Sequence, residues 1–201
     1  MKRIIFLSLG IILSLNVNAN DETSSNESVY ERSGWFFSGG QMNFDSAVAE
    51  QQGIKDSSFY LNLGYEGHKG ALAYGFGMSG LILSDDNSFT QRVVDNFGNT
   101  STASSSADAF GFYGELGYSM DFESGGKSFD ILAGLEAINA SRGISNCSNC
   151  FSEDIDLSSG LYIKPRFRFY AESGFVFSFD YHQYLSGDIE NGFSLNFSWT
   201  N

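Results

Sequence analysis

Phe110-Gly-Phe-Tyr-Gly-Glu-Leu-Gly-Tyr-Ser-Met-Asp-Phe122 alternates without interruption. Phe110, Phe112, Leu116, Tyr118, Met120 and Phe122 share one face with Gly114, while Ala109, Gly111, Tyr113, Glu115, Gly117, Ser119 and Asp121 share the other. A period of two belongs to a strand, because successive side chains point to opposite faces. One wall is large and apolar and the other is small, polar or charged. A membrane-spanning barrel demands this division, with lipid outside and a crowded polar interior.

The same period recurs on both sides of this segment, giving eight strands. The first runs from Gly34 to Phe44, with Phe36, Met42 and Phe44 on the apolar face and Trp35 and Phe37 blurring the opposite one. The second sets Phe59, Leu61, Leu63 and Tyr65 against Tyr60, Asn62, Gly64 and Glu66. In the third, Leu72, Tyr74, Phe76, Met78 and Ile82 oppose Ala71, Ala73, Gly75, Gly77 and Ser79, and the pattern decays at Leu81 and Leu83. The segment quoted above is the fourth. The fifth sets Phe129, Ile131, Ala133, Leu135 and Ala137 against Asp130, Leu132, Gly134, Glu136 and Ile138, and the sixth sets Leu161, Ile163, Pro165, Phe167 and Phe169 against Tyr162, Lys164, Arg166, Arg168 and Tyr170. The seventh sets Phe175, Phe177, Phe179, Tyr181 and Leu185 against Ser178, Asp180, His182 and Tyr184, and the eighth sets Phe193, Leu195, Phe197 and Trp199 against Ser194, Asn196, Ser198 and Thr200. Pro165 interrupts the sixth, and because a closed barrel has no free edge, a bulge is expected there.

Connections alternate in length. Short ones follow the second, fourth and sixth strands (68–70, 123–127, 171–174), and longer ones follow the odd strands (45–58, 85–107, 141–156), with 186–191 shorter. This is the order of an up-and-down barrel with tight periplasmic turns and long outer loops. The minority face separates a membrane barrel from a soluble one. A water-facing wall would carry long charged groups, yet Gly64, Gly75, Gly77, Gly111, Gly117 and Gly134 sit there. The opposite wall is nearly free of charge, which a soluble protein could not expose without aggregating. Aromatics near strand ends, including Phe59, Tyr65, Phe122, Phe129, Phe169, Phe175 and Trp199, are expected to form interfacial girdles.

The chain opens with Met1-Lys2-Arg3, an apolar run from Ile4 to Leu15 and Val17-Asn18-Ala19, the pattern of a secretory signal peptide over 1–19. Cleavage would remove two cations and take the formal net charge from −13 to −15. So acidic a chain disfavours nucleic acid and anionic surfaces. Residues 20–33 are polar and acidic and read as a disordered periplasmic lead-in to a barrel domain over 34–201. No second apolar run is long enough for a spanning helix.

The inward face carries the chemistry. Lys164, Arg166 and Arg168 form a basic ladder on the sixth strand, able to compensate Glu115, Asp130, Glu136 and Asp180. Pairing across the tight turns sets Arg166 near Asp180, Lys164 near His182 and Glu115 near Glu136. A salt-bridge network that fills the lumen is the expected role of these eight residues, since buried charges must be paired. A narrow gated pore, in which Arg166 or Arg168 exchanges carboxylates, is the alternative. Acid/base catalysis has no cleft to support it, and a lipid-modifying enzyme lacks a Ser nucleophile motif beside His68 or His182.

Cys147-Ser-Asn-Cys150 lies in the third long loop and is expected to form a local disulfide in an exported protein. A thioredoxin-like redox site would need a helix that is absent, and zinc would need further ligands. No cofactor or metal is expected. The loop acids Asp85, Asp86, Glu153, Asp154, Asp156, Asp188 and Glu190 read as solvated, with divalent-cation capture as the alternative.

In these features the chain resembles the small outer-membrane barrels of Gram-negative bacteria, of the type of the eight-stranded transmembrane barrel of outer membrane protein A. The resemblance covers about Gly34 to Asn201 and rests on architecture. Its most specific element is the closing strand, Phe193-Ser-Leu-Asn-Phe-Ser-Trp199, similar to the C-terminal signal read by the barrel-assembly machinery, although Thr200 and Asn201 follow the terminal aromatic. The resemblance implies an exported, monomeric, non-enzymatic protein surrounded by outer-membrane lipid and lipopolysaccharide, with loops free to bind an external ligand. No peptidoglycan-binding domain is expected, so no envelope-tethering role is carried over.

Overall fold

In a computed structural model, residues 31–95, 97–122, 126–171 and 174–199 are described. The expected signal peptide and most of the lead-in lie outside them. Eight long strands form the wall: β1 (Glu31–Phe44), β2 (Ile54–Lys69), β3 (Leu72–Asp85), β6 (Ser106–Phe122), β7 (Lys127–Gly143), β9 (Leu161–Tyr170), β10 (Phe175–Tyr184) and β11 (Ile189–Trp199). Between them lie a short helix α1 (Ser46–Gln52), a hairpin β4 (Thr90–Val94) and β5 (Thr100–Ser104), and β8 (Ser152–Ile155). Each long strand pairs antiparallel with its sequential neighbours, and β1 pairs with β11. The chain is therefore a closed eight-stranded antiparallel up-and-down β-barrel, in which no wall strand presents a free edge.

Alternation of exposure supports a transmembrane wall. On β6, Phe110, Phe112, Leu116 and Tyr118 are exposed, while Ala109, Tyr113, Glu115 and Ser119 are buried in the lumen. Exposed aromatic and aliphatic side chains continue around the barrel, from Phe76 on β3 to Leu135 on β7, Phe179 on β10 and Phe193 on β11. Water would not tolerate so continuous an apolar belt, and lipid requires it. At the short-turn end, Trp35 packs edge-on against Tyr65 and Phe175 against Trp199, aromatic pairs suited to an interface.

Three expectations need correction. Phe36, Met42 and Phe44 face the lumen, and Trp35 and Phe37 face outward, so the more apolar parity of β1 is its inner one. Phe36 lies opposite Gly64, whose missing side chain leaves it room: a Cβ there would fall 2.9 Å from Phe36 Cε1 and 2.5 Å from Tyr113 Oη. Met42 and Phe44 instead join an apolar layer at the long-loop end.

β1 also begins at Glu31, inside the stretch expected to be disordered. Glu31, Arg32 and Ser33 stand opposite Lys69, His68 and Gly67 of β2, and Tyr65 Oη donates to Ser33 Oγ at 2.7 Å. The exposed ladder of β2 is completed by backbone pairing, to which side-chain polarity is secondary.

No bulge occurs at Pro165. Asp180 lies opposite Arg166 and Gln183 opposite Ile163, one register on both sides of the proline, while Ile131 and Leu132 of β7 remain opposite Pro165 and Lys164. The ladder toward β10 lapses locally where the N–H is missing and then resumes.

Candidate functional site

The lumen is layered. Nearest the short turns, the ladder on β9 meets carboxylates from four other strands. Arg166 is central and almost wholly buried: Nε and Nη2 donate to the two oxygens of Asp180 at 3.0 and 2.8 Å, and Nη1 donates to Glu66 Oε2 at 2.6 Å. Its Nη2 also lies 3.4 Å from Glu115 Oε1. Lys164 Nζ sits 2.5 Å from Glu115 Oε2 and 3.7 Å from Asp180 Oδ2. Arg168 reaches Asp130 Oδ2 at 2.7 Å and Glu66 Oε2 at 3.4 Å.

Hydroxyl groups complete the carboxylates. Ser119 donates to Asp130 at 2.6 Å, Ser178 to Asp180 at 2.9 Å, Ser198 to Glu66 at 2.9 Å and Tyr162 to Glu115 at 2.9 Å. Desolvating an ion costs several kcal/mol, and only interleaved opposite charge with satisfied lone pairs offsets it. The forked guanidinium of Arg166 engages Asp180 in bidentate fashion while reaching a third strand, which a lysine could not do.

Above this layer, Glu136 accepts from Tyr60 Oη at 3.3 Å and from Tyr184 Oη. His182 stands among Tyr60, Tyr162 and Tyr184, with ring centroids 5.8, 5.4 and 6.4 Å away. Its Nε2 is 3.4 Å from Ser194 Oγ. Still nearer the long loops, Met42, Phe44, Leu81, Leu83, Ile155 and Ile189 close the barrel with an apolar layer, to which α1 contributes Ala49. Leu81 and Leu83, which break the alternation of β3, belong to this seal.

Of the eight sequence-predicted lumenal residues, Lys164, Arg166, Arg168, Glu115, Asp130 and Asp180 thus converge on one network. Arg166 and Asp180 are direct register partners, as the pairing argument required. Glu136 and His182 stand apart in the tyrosine layer. Glu115 lies opposite Gly134, and Tyr113 opposite Glu136, so the two acids are displaced by two residues from the expected pairing; β6 and β7 remain paired down to Phe122 and Lys127. Sequence reasoning missed Glu66. Its inward parity on β2 was the available signal, but its cationic partners lie on β9, and only ring closure brings those strands' side chains together.

The long-loop end is an ordered head. Asp45 caps α1, accepting from the backbone N–H groups of Ala47 and Val48 at 2.9 and 3.3 Å, and Gly53 ends the helix at φ 65°, a conformation open to glycine. Arg142 at the end of β7 binds Asp85 at 2.7 Å, Glu153 at 2.7 Å and the Gln52 carbonyl at 2.8 Å, tying β3, β8 and α1 together. Two acids expected to be solvated, Asp85 and Glu153, are therefore ion-paired. Cys147 and Cys150 form the expected disulfide. On the β4–β5 hairpin, Asp95 accepts from the side chain and backbone of Asn99 at 3.0 and 2.8 Å and from the Phe97 N–H at 2.8 Å. These bonds, the Asn99 side chain first, hold its carboxyl below the usual aspartate range. Phe97 beside it is 91 % exposed.

Comparison with solved structures places the fold. Ail, the attachment invasion locus protein of Yersinia pestis, solved in complex with the heparin analogue sucrose octasulfate, is similar with a TM-score of 0.51 and 13 % identity, covering 85 % of this chain and 98 % of Ail. The fold is that of a small eight-stranded membrane barrel. Neisserial surface protein A aligns with a TM-score of 0.48 and 9 % identity, over 85 % of this chain and 94 % of that one. No family model and no curated protein sequence matches the chain.

Proposed function

We propose that this chain is an integral outer-membrane protein of a Gram-negative envelope, with a structural or surface-interaction role and no catalytic one. The observation that carries this reading is the division of the barrel: a lumen filled by paired charge and sealed by an apolar layer, beneath loops built into a braced head. In this reading residues 1–19 direct export, the barrel-assembly machinery inserts the strands, and the monomer sits among outer-membrane lipid and lipopolysaccharide. The short turns face the periplasm and the head faces outward, the arrangement usual for such barrels. The lumenal carboxylates are committed to ion pairs and hydroxyls, which supports a scaffolding role over acid/base chemistry.

Ail was solved with a sulfated sugar, and a ligand at the head is the corresponding proposal here, though not one of the same charge. Asp45, Asp86, Asp156 and Asp188 in the connections of this end, Glu50 on α1 and Asp154 on β8 stand against few cations such as Lys55 and Arg92. A polyanion would be repelled, so the ligand is neutral or cationic.

Gly98 at the hairpin tip has open space around it and suits insertion of an epitope tag. Antibody should label intact cells carrying this insertion. Labelling only after permeabilisation would refute the outward head.

A further inference from the structure

Cys147 and Cys150 are three residues apart, and their disulfide closes a ring too small to contribute much to global stability through chain entropy. What the ring encloses is more informative. Ser148 and Asn149, its two inner residues, both bind β4. The Ser148 N–H and Oγ donate to the Val94 carbonyl at 2.9 and 3.3 Å. The Val94 N–H donates to Asn149 Oδ1 at 2.9 Å, Asn149 Nδ2 donates to the Arg92 carbonyl at 3.1 Å, and Gln91 Nε2 donates to the Asn149 carbonyl at 2.8 Å. Five hydrogen bonds thus join a two-residue segment to the outer edge of a hairpin whose strands have five residues each.

A two-stranded hairpin of this size is marginal by itself and depends on what it rests against. Its base is held by Phe89 and Ser105, with the Ser105 N–H donating to the Phe89 carbonyl at 2.8 Å, and by Phe89 packing edge-on against Phe151 at 5.5 Å. Toward the tip, the 148–149 segment supplies the brace. Asn146 immediately before the ring takes a positive φ of 64°, a left-handed turn that the chain must hold to enter it. The covalent ring keeps this short, strained path in the one arrangement that presents Ser148 and Asn149 to β4.

We propose that the Cys147–Cys150 disulfide is a redox-sensitive latch that fixes the β4–β5 hairpin, and Phe97 at its tip, on the head. Its relevance to ligand binding rests on the reading of the head as the interaction surface; the latch itself does not. An external dithiol reductant would supply two electrons and two protons. The sulfur–sulfur bond breaks, two cysteine thiols form, and the reductant becomes a disulfide. Residues 147–150 then regain backbone freedom, the five hydrogen bonds to β4 lose their pre-organisation, and the hairpin swings from its base.

Amide hydrogen exchange on the full barrel in detergent micelles, without any ligand, tests this. Reduction of the wild-type protein, with both thiols verified by alkylation, should speed exchange of the Val94 N–H at least tenfold and leave β6 and β7 unchanged. Asn149→Ala should loosen Val94 to a similar degree with the disulfide intact, and reduction should then add little. An unchanged Val94 rate after reduction overturns the latch, as does acceleration spread evenly over the barrel strands. Because this measurement needs no ligand and no cell, a failed surface-labelling experiment would refute the outward head while leaving the latch separately testable.

Discussion

Arg166 on β9 and Asp180 on β10 are direct register partners, joined by two hydrogen bonds of 3.0 and 2.8 Å inside the barrel. The same guanidinium reaches Glu66 on β2, across the lumen, and Glu115 on β6, so one side chain ties four strands. Arg166→Ala would leave Glu66, Glu115 and Asp180 sharing less positive charge in a desolvated space. The expected cost is about 3–5 kcal/mol, the range for breaking a buried ion pair, read as a lower urea midpoint for unfolding from lipid vesicles. Adding Asp180→Asn should recover part of the loss, because it removes the charge left uncompensated. A shift below about 1 kcal/mol, as for a solvated surface pair, would contradict the network.

The seal of Met42, Phe44, Leu81, Leu83 and Ile189 lies between the charge network and the long loops. Ion passage needs a continuous water path, and an apolar constriction of this kind excludes one. Planar-bilayer recordings of the wild type should therefore stay at the lipid background. Discrete conductance steps would restore the pore reading.

Asp95 gives the hairpin tip a defined acid response. Its carboxyl titrates lower in the folded chain than in the unfolded one, owing first to the Asn99 side chain and then to backbone N–H groups. The ionised form therefore supports the turn at all pH values above the unfolded aspartate pKa of about 3.9, and that support is lost as pH falls through the lower folded value. The chemical shift of the Asn99 amide should be flat from neutral pH down to about 4 and change only below it. Asp95→Asn should abolish the transition; a midpoint near neutrality would contradict the assignment.

Seven of the eight wall strands were legible because one face meets lipid and the other a crowded lumen, so parity alone orients Glu115, Lys164, Arg166, Arg168 and Asp180. β1 escaped this rule. Its inner face includes Met42 and Phe44, members of a seal that is apolar for the same reason a soluble core is, and hydropathy does not distinguish lipid from core. Glu66 escaped for a geometric reason: local pairing rules couple neighbouring strands, whereas its partners Arg166 and Arg168 lie far around the ring. The hairpin at Thr90–Ser104 is short, polar and braced by Ser148 and Asn149, contacts without any local period. Pro165 was legible as an anomaly, but not its outcome, since the pairing of β7 with β9 holds the register through the lost bond.

The belt containing Phe112 and Leu116 faces lipid on a closed barrel. Electrophoretic migration of the membrane-extracted protein in dodecyl sulfate, with and without boiling, reads this placement. Unheated protein should migrate as a compact band and shift on boiling, and it should need detergent to remain in solution. A protein that stays soluble without detergent and migrates identically in both lanes would contradict the account.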